Sequence, residues 1–479
     1  MSTYVPSFSG DVQIFYGPPG TGKTHRLLDI LEKELKDGAP TDRIAFVSFT
    51  REGARQGIRR ACSRFGYVFR DFPYFRTAHS LAFHALELTK DSVMQAYHYR
   101  MFGKAIGMNF AGHYDEELHS PDDIYLFIHD LLRNNREYAE RVFLNEDIDL
   151  PLLKFVLQKF KDYKEELKLL DYTDMIQQFI RRGTPLPVDV VFLDEAQDFT
   201  TLQWRFAEIA FRDAKRIYVA GDDDQAIYSW SGADVEAFIA LEGKKEVLNI
   251  SHRLPPAVLT LANTITKNIQ LRVEKEYFPE KTTGSVEYLT DIDDAPLDYP
   301  GSYYILVRNR KYVKQVAEML ERRGFLYSTR DGPSIRRADL DSIEAWEKHR
   351  ASGYKLSPAE DLRIKQALDC DLADAPNVTW QEAFVAWPIE KREYIERILK
   401  KYPEVATMDP LIHVATIHTV KGGEADNVIL YMCMSPLTYN TYMEDPDNEH
   451  RVFYVGATRA SERLIIVYGN EPFSYSLEA

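Results

Sequence analysis

The eight residues Gly17-Pro18-Pro19-Gly20-Thr21-Gly22-Lys23-Thr24 constrain this chain more than any other segment. They follow a short apolar, β-branched and aromatic run, Val12–Tyr16, and lead into a stretch whose apolar residues recur through Leu27, Leu28, Ile30 and Leu31. A strand, a glycine-rich loop and a helix form the context that the spacing G-x-x-x-x-G-K-[ST] requires. Gly17, Gly20 and Gly22 let the backbone wrap closely enough for successive N–H groups, that of Thr21 included, to face phosphate oxygens. Lys23 adds a point charge at the β/γ position, and the Thr24 hydroxyl is a ligand for Mg²⁺. The loop by itself predicts an α/β fold that binds a nucleoside triphosphate.

Two later segments carry the acids such a site needs. Val188–Leu193 reads as a fully buried strand and ends in Asp194-Glu195-Ala196-Gln197-Asp198. An acidic pair at the carboxyl end of a parallel strand is where this fold class places its metal and its attacking water. Asp194 is therefore expected to hold Mg²⁺ and Glu195 to orient or deprotonate water. Capping of the next helix by Asp198 or Thr200 is the plainer alternative, and it accounts for one acid only. A third strand, Arg216–Ala220, runs into Gly221-Asp222-Asp223-Asp224-Gln225. Three acids beside an anionic nucleotide are unfavourable unless metal or donors offset them, and Gln225 is a neutral amide suited to sensing a γ-phosphate.

A length of 479 residues corresponds to about three folding units, and the ordinary globular composition, 45% apolar and 28% charged, excludes wholesale disorder. The formal net charge of −15 disfavours non-specific coating of nucleic acid while leaving room for a local basic channel. Arg51, Arg55 and Arg59 form one stripe if the segment after Thr50 is helical, and that stripe reads equally as basic track or solvated face. No apolar run approaches the roughly 18–20 residues that cross a bilayer, and Met1–Gly10 lacks the pattern of a signal peptide. A cytoplasmic protein without membrane partners is expected. Cys62, Cys370 and Cys433 are far apart and in no C-x-x-C pair, which argues against a disulfide framework or structural zinc; each is read as a buried thiol.

Taken together, Gly17–Thr24, Asp194–Asp198 and Gly221–Trp230 resemble superfamily 1 helicases of the UvrD/Rep type. Three further blocks occur in the family's order: Phe46–Arg51, Val414–Glu424 and Tyr454–Ala460. The resemblance implies two RecA-like P-loop domains in tandem, each with a mainly helical insertion. Here the first would be 1–84 plus 185–250, interrupted by a helical insertion at 85–184. Within that insertion Tyr163-Lys164 and Asp171-Tyr172-Thr173-Asp174 resemble a family motif that precedes the acidic box. The second domain would be 251–335 plus 408–479, and 336–407 a short second insertion, much shorter than in longer relatives.

The resemblance also implies roles. ATP and Mg²⁺ would be the cofactors, with Lys23, Glu195, Gln225, Arg253 and Arg459 catalytic, the two arginines reaching the γ-phosphate from the second domain. His252 stands where the family usually has an adenine-stacking Tyr, and Glu424 near the ribose. Phe49, Thr50, Thr77, His79, Ser80, Thr416 and His418 would line a single-strand track, with Tyr228 and Trp230 as stacking platforms. Ser231 replaces the family's usual Arg after that Trp. The implied activity is ATP-driven translocation on single-stranded DNA and unwinding of duplex, 3′ to 5′. Partners would be single-stranded and tailed duplex DNA and replication or repair proteins, with the monomer as the working form. The rival reading is a DNA-stimulated ATPase that remodels a protein partner. A motor half of a helicase-nuclease is disfavoured, since no nuclease cluster follows Arg459.

Overall fold

The computed structural model describes residues 4–48, 51–112, 118–143, 148–372 and 375–477. The chain divides into two compact units, Met1–Thr282 with Glu444–Val455, and Thr283–Met443 with Gly456–Ala479.

The first unit is built on a six-stranded sheet. Its strands are β1 (Asp11–Tyr16), β2 (Ile44–Ser48), β3 (Tyr74–Arg76), β4 (Val190–Asp194), β5 (Arg216–Gly221) and β6 (Lys244–Val247), in the order β3-β2-β4-β5-β1-β6. Every pairing is parallel. Parallel strands covered on both faces read as continuous apolar runs, and Val190, Val191, Phe192 and Leu193 are all fully buried. The order sets β4, β5 and β1 side by side. The three segments singled out above leave the carboxyl ends of these three strands, the edge where open α/β sheets bind ligands.

Between β3 and β4 lie the helices Ala78–Ala85, Ala96–Ile106, Asp123–Asn134, Arg136–Phe143, Leu150–Leu167 and Tyr172–Arg182. Phe102, Phe110, Leu126, Val156 and Phe160 give these helices a core of their own. The last helix starts in a capping box, Asp171 accepting from the Asp174 N–H at 2.7 Å and Asp174 from the Asp171 N–H at 3.0 Å. Arg133 and Lys164 are both inserted between those two carboxylates, Arg133 reaching Asp171 at 2.9 Å and Lys164 reaching Asp171 and Asp174 at 2.6 Å each. The family-like pair of motifs is thus a buried ionic knot that ties three helices together.

The second unit carries a seven-stranded sheet. A separate short parallel pair, β7 (Ile250–Ser251) with β8 (Phe278–Pro279), precedes it in the chain. The sheet contains β9 (Ser285–Leu289), β10 (Tyr303–Val307), β11 (Tyr327–Thr329), β12 (Gly332–Pro333), β13 (Ile412–Thr416), β14 (Ala425–Tyr431) and β15 (Ala460–Val467). Their order is β12-β11-β13-β10-β14-β15-β9, parallel except for the β11–β12 hairpin. Residues between β12 and β13 form helices Arg337–Ser352, Pro358–Leu368, Trp380–Ala383 and Ile389–Lys401. Trp346 and Trp380 of these helices and Phe384, just after the third, share one core with Ile305 and Val414 of the sheet, so this insertion is part of the unit's main core.

Residues 251–282 and 444–455, Arg253 among them, lie in the compact unit formed by Met1–Thr282 and Glu444–Val455. Periodicity could not show this, because 270–277 is an irregular segment held by side chains distant in sequence. One expectation, that each cysteine is a buried thiol, needs correction. Of the three cysteines only Cys433 is buried; Cys62 is half-buried and Cys370 exposed. The helix Arg51–Phe65 forms and exposes Arg55 and Arg59, while the side chain of Arg51, like Phe49 and Thr50, lies outside the described residues. Among the described residues no helix is long and apolar enough to cross a membrane.

Candidate functional site

The loop after β1 closes on itself and on β5. Gly17 N donates to Gly221 O at 2.9 Å, joining the ends of the two strands. Lys23 Nζ donates to Gly17 O at 2.8 Å, which holds the ammonium group against the loop. A Cβ on Gly17 would stand 2.1 Å from Lys23 Cγ, so only glycine lets the lysine fold back here. Gly22, at φ 78°, provides the left-handed residue that turns the loop into helix Lys23–Lys36. That helix therefore points its unpaired N–H groups at the loop.

Thr24 Oγ1 donates to Asp194 Oδ2 at 2.9 Å, bringing the two expected metal-holding residues together. A hydroxyl and a carboxylate, both oxygen donors, suit Mg²⁺. Burial, and next the neighbouring Glu195, push the Asp194 carboxyl up to about 6. A divalent cation or other positive charge would relieve that strain on the ionised form. Glu195 adopts a left-handed conformation, φ 53°, uncommon for a residue with a side chain and frequent at working sites. Helix Thr201–Ala210 is capped by Thr200, which accepts from Gln203 N at 3.1 Å. Asp194 to Asp198 are thus spared that duty.

Gln197 links the acids to the sensor segment. Its Nε2 donates to Glu195 Oε2 at 2.7 Å, and its Oε1 accepts from Asp222 N at 3.0 Å. Asp222 Oδ2 in turn accepts from Gln225 Nε2 at 2.7 Å. The sequence reading missed Gln197, although its place within Asp194–Asp198 marked it.

The three acids after β5 are offset by donors. Lys275, with its side chain 0% exposed, contacts Asp222 at 3.2 Å and Asp224 at 2.9 Å, and Asp223 as well. Arg272 grips Asp224 in a two-pronged pair at 2.9 and 2.7 Å, and Val273 N donates to Asp223 Oδ2 at 2.7 Å. Burial lowers the Lys275 ammonium pKa, but the three carboxylates outweigh it and the net shift is upward. Arg451 donates to Asp223 O at 3.0 Å and Leu271 O at 2.6 Å, and Tyr277 Oη lies 3.1 Å from Tyr454 Oη. Segment 270–277 is thereby strapped over the acidic loop. No local spacing announces these partners.

Arg253 arrives beside the loop within the first unit. Ser251 Oγ donates to Pro19 O at 2.7 Å and His252 N to Gly20 O at 3.0 Å. A Cβ on Gly20 would meet Arg253 Cβ at 2.4 Å. The guanidinium is thus carried on backbone fastened to the phosphate-type loop. The exposed His252 ring is 2.7 Å from Glu280 Oε2. In the second unit, Arg459 is 1% exposed and donates to Gly423 O at 3.1 Å and Thr458 Oγ1 at 3.2 Å; the adjoining Glu424 is exposed.

The expected track residues fall into separate groups. Thr77 caps helix Ala78–Ala85 by accepting from Ser80 N at 3.3 Å, and His79 meets Tyr172 edge-on at 5.8 Å. Tyr228 and Trp230 are half-buried neighbours in an edge-to-face arrangement, 6.3 Å between ring centres with the planes at 69°. Trp230 Nε1 is buried with no partner among the described residues. In the second unit, Thr416 and His418 are buried, and Thr416 Oγ1 lies 2.9 Å from Thr419 Oγ1.

Residues 3–246 match the model of the UvrD/REP helicase N-terminal domain, and 392–471 that of the UvrD-like helicase C-terminal domain. The chain belongs to the UvrD/REP helicase family. Its RecA-like P-loop fold follows from that membership. The ATP-dependent DNA helicase PcrA of Staphylococcus aureus is 24% identical over 339 residues, covering 61% of this chain and 43% of PcrA. This UvrD/REP family member thus spans less than half the length of PcrA in that match. The Gabija protein GajB of Bacillus cereus is 23% identical over an alignment of 518 residues, covering 96% of this chain and 93% of GajB.

Proposed function

We propose that this chain is an ATP-dependent DNA helicase that translocates along single-stranded DNA, 3′ to 5′, and separates duplex as it moves. The observation that carries the reading is the relay Glu195–Gln197–Asp222–Gln225, set beside the Thr24–Asp194 contact. It ties the group that would activate water to the amide that would sense the γ-phosphate, so hydrolysis would be reported to the segment bearing Tyr228 and Trp230. Lys23 and the loop N–H groups would bind the phosphates of ATP, and Thr24 and Asp194 would hold Mg²⁺, which neutralises phosphate charge. Arg253 from the first unit and Arg459 from the second would supply guanidinium groups to the γ-phosphate, with His252 and Glu424 nearer base and ribose. DNA would follow Thr77, His79, Tyr228, Trp230, Thr416 and His418, the first-unit aromatics stacking on bases.

Duplexes with a 3′ or a 5′ single-stranded tail, compared under one set of conditions with ATP, test the reading. Strand separation of the 3′-tailed substrate alone is expected. ATPase that does not respond to single-stranded DNA would favour the remodelling alternative.

Trp230 offers a sharper measurement. Loss of one base-stacking platform costs about 1–3 kcal/mol. Trp230→Ala is expected to keep DNA-independent ATPase while its unwinding per ATP falls at least about fivefold. Wild-type unwinding by this variant would remove Trp230 from the track.

A further inference from the structure

Helices Leu150–Leu167 and Tyr172–Arg182, joined by a short turn, flank a cleft of about 920 Å³ in the first unit. This is near the upper end of the range for single-ligand sites. Arg133, Lys164 and Asp174 of the ionic knot line it, their charges satisfied within the knot, in which the buried Asp171 also takes part. The rest of the lining is different. Lys154, Lys168 and Arg181 are exposed, and none of the three has a carboxylate partner among the described residues. Three unmatched cations at one concavity stand out on a chain whose net charge is −15. Leu88, Leu157 and Leu170, all half-buried, add apolar surface, and Gln177 and Gln178 line the cleft as well, each with an amide that both donates and accepts, while Gln158 already donates to Asp162 at 2.7 Å.

We propose that this cleft docks an acidic, amphipathic segment of a partner protein, with aliphatic side chains against the leucines and carboxylates at the cationic rim. The lining favours a peptide over nucleic acid. No Phe, Tyr or Trp lines the cleft, so bases would find no large ring to stack on. The leucines gain nothing from phosphodiester and gain by burying a methyl-bearing side chain. Glutamine amides match the alternating donors and acceptors of a peptide backbone. The proposal is independent of the nucleotide site, which uses none of these residues.

The probe is a fluorescein-labelled peptide of about 15 residues, leucines at helical spacing and glutamates elsewhere. A serine-for-leucine version, a lysine-for-glutamate version and a labelled blunt duplex serve as controls. Full-length wild type is compared by anisotropy with a triple charge reversal, Lys154→Glu, Lys168→Glu and Arg181→Glu, at exposed positions where the fold is not at stake. The acidic peptide is expected to bind wild type, to bind at least about tenfold more weakly to the reversal variant, and to weaken with salt. Both control peptides are expected to bind poorly, and DNA-stimulated ATPase to be unchanged. No binding of the acidic peptide, or equal binding to both proteins, would overturn the proposal. So would a reversal variant that loses duplex affinity and leaves peptide affinity intact, since the cleft would then serve nucleic acid. Loss of ATPase in wild type would count against the helicase reading alone.

Discussion

Lys23→Ala is expected to abolish ATP turnover, and Glu195→Gln to bind ATP and stall. The two variants should differ in mechanism despite a shared loss of activity. Lys23 is held to the loop by its bond to Gly17 O at 2.8 Å, where its charge would meet the β/γ-phosphates. Removing a preorganised donor to developing charge lowers turnover by about 10²–10³-fold, and here the same residue also contributes to ATP affinity. Glu195 touches the relay through Gln197 at 2.7 Å and takes no part in the loop. A glutamine there keeps the shape and loses the base, so binding of a fluorescent ATP analogue should persist while phosphate release falls below about one hundredth of wild type. Phosphate release near the wild-type rate from Glu195→Gln would mean that Glu195 does not act on water. Unchanged nucleotide affinity and turnover in Lys23→Ala would remove the loop from the site.

Lys275→Met is expected to be the most damaging change outside that site. Lys275 is wholly buried among Asp222, Asp223 and Asp224, and no other lysine contacts all three among the described residues. Deleting one partner of a buried ionic cluster leaves uncompensated charge and costs about 3–5 kcal/mol. For a unit of this size that lowers its thermal midpoint by roughly 5–10 °C. Burial raises the Asp223 carboxyl, and Lys275 opposes that rise, so the variant should also take up a proton near Asp223. Combining Lys275→Met with Asp223→Asn removes the orphaned charge and is expected to recover part of the loss; the cycle of four proteins measures the coupling by calorimetry. A single variant as stable as wild type would show that the acids are offset elsewhere, through Arg272 and the Val273 N–H.

These two predictions differ in how far they could be anticipated. Lys23 and Glu195 stand in segments whose function depends on local spacing. Loop length and glycine placement determine where N–H groups point, and an acid at the end of an apolar strand lies at the ligand-binding edge whatever surrounds it. Lys275 follows no such rule. Its partners are some fifty residues earlier, and only the path of segment 270–277 over the end of β5 brings them within 2.9–3.2 Å.

Local order along the chain was enough to reveal the glycine-rich loop, the buried strands Val190–Asp194 and Arg216–Gly221 and the α/β class, because each depends on neighbours a few residues apart. Long-range packing alone assigned 251–282 and 444–455 to the first unit, fastened Arg253 to the phosphate-type loop through Ser251 and His252, left Cys370 exposed, and supplied counterions for Asp222, Asp223 and Asp224. Buried charge must find opposite charge wherever the folded chain provides it, and the sequence distance to that partner is free to vary.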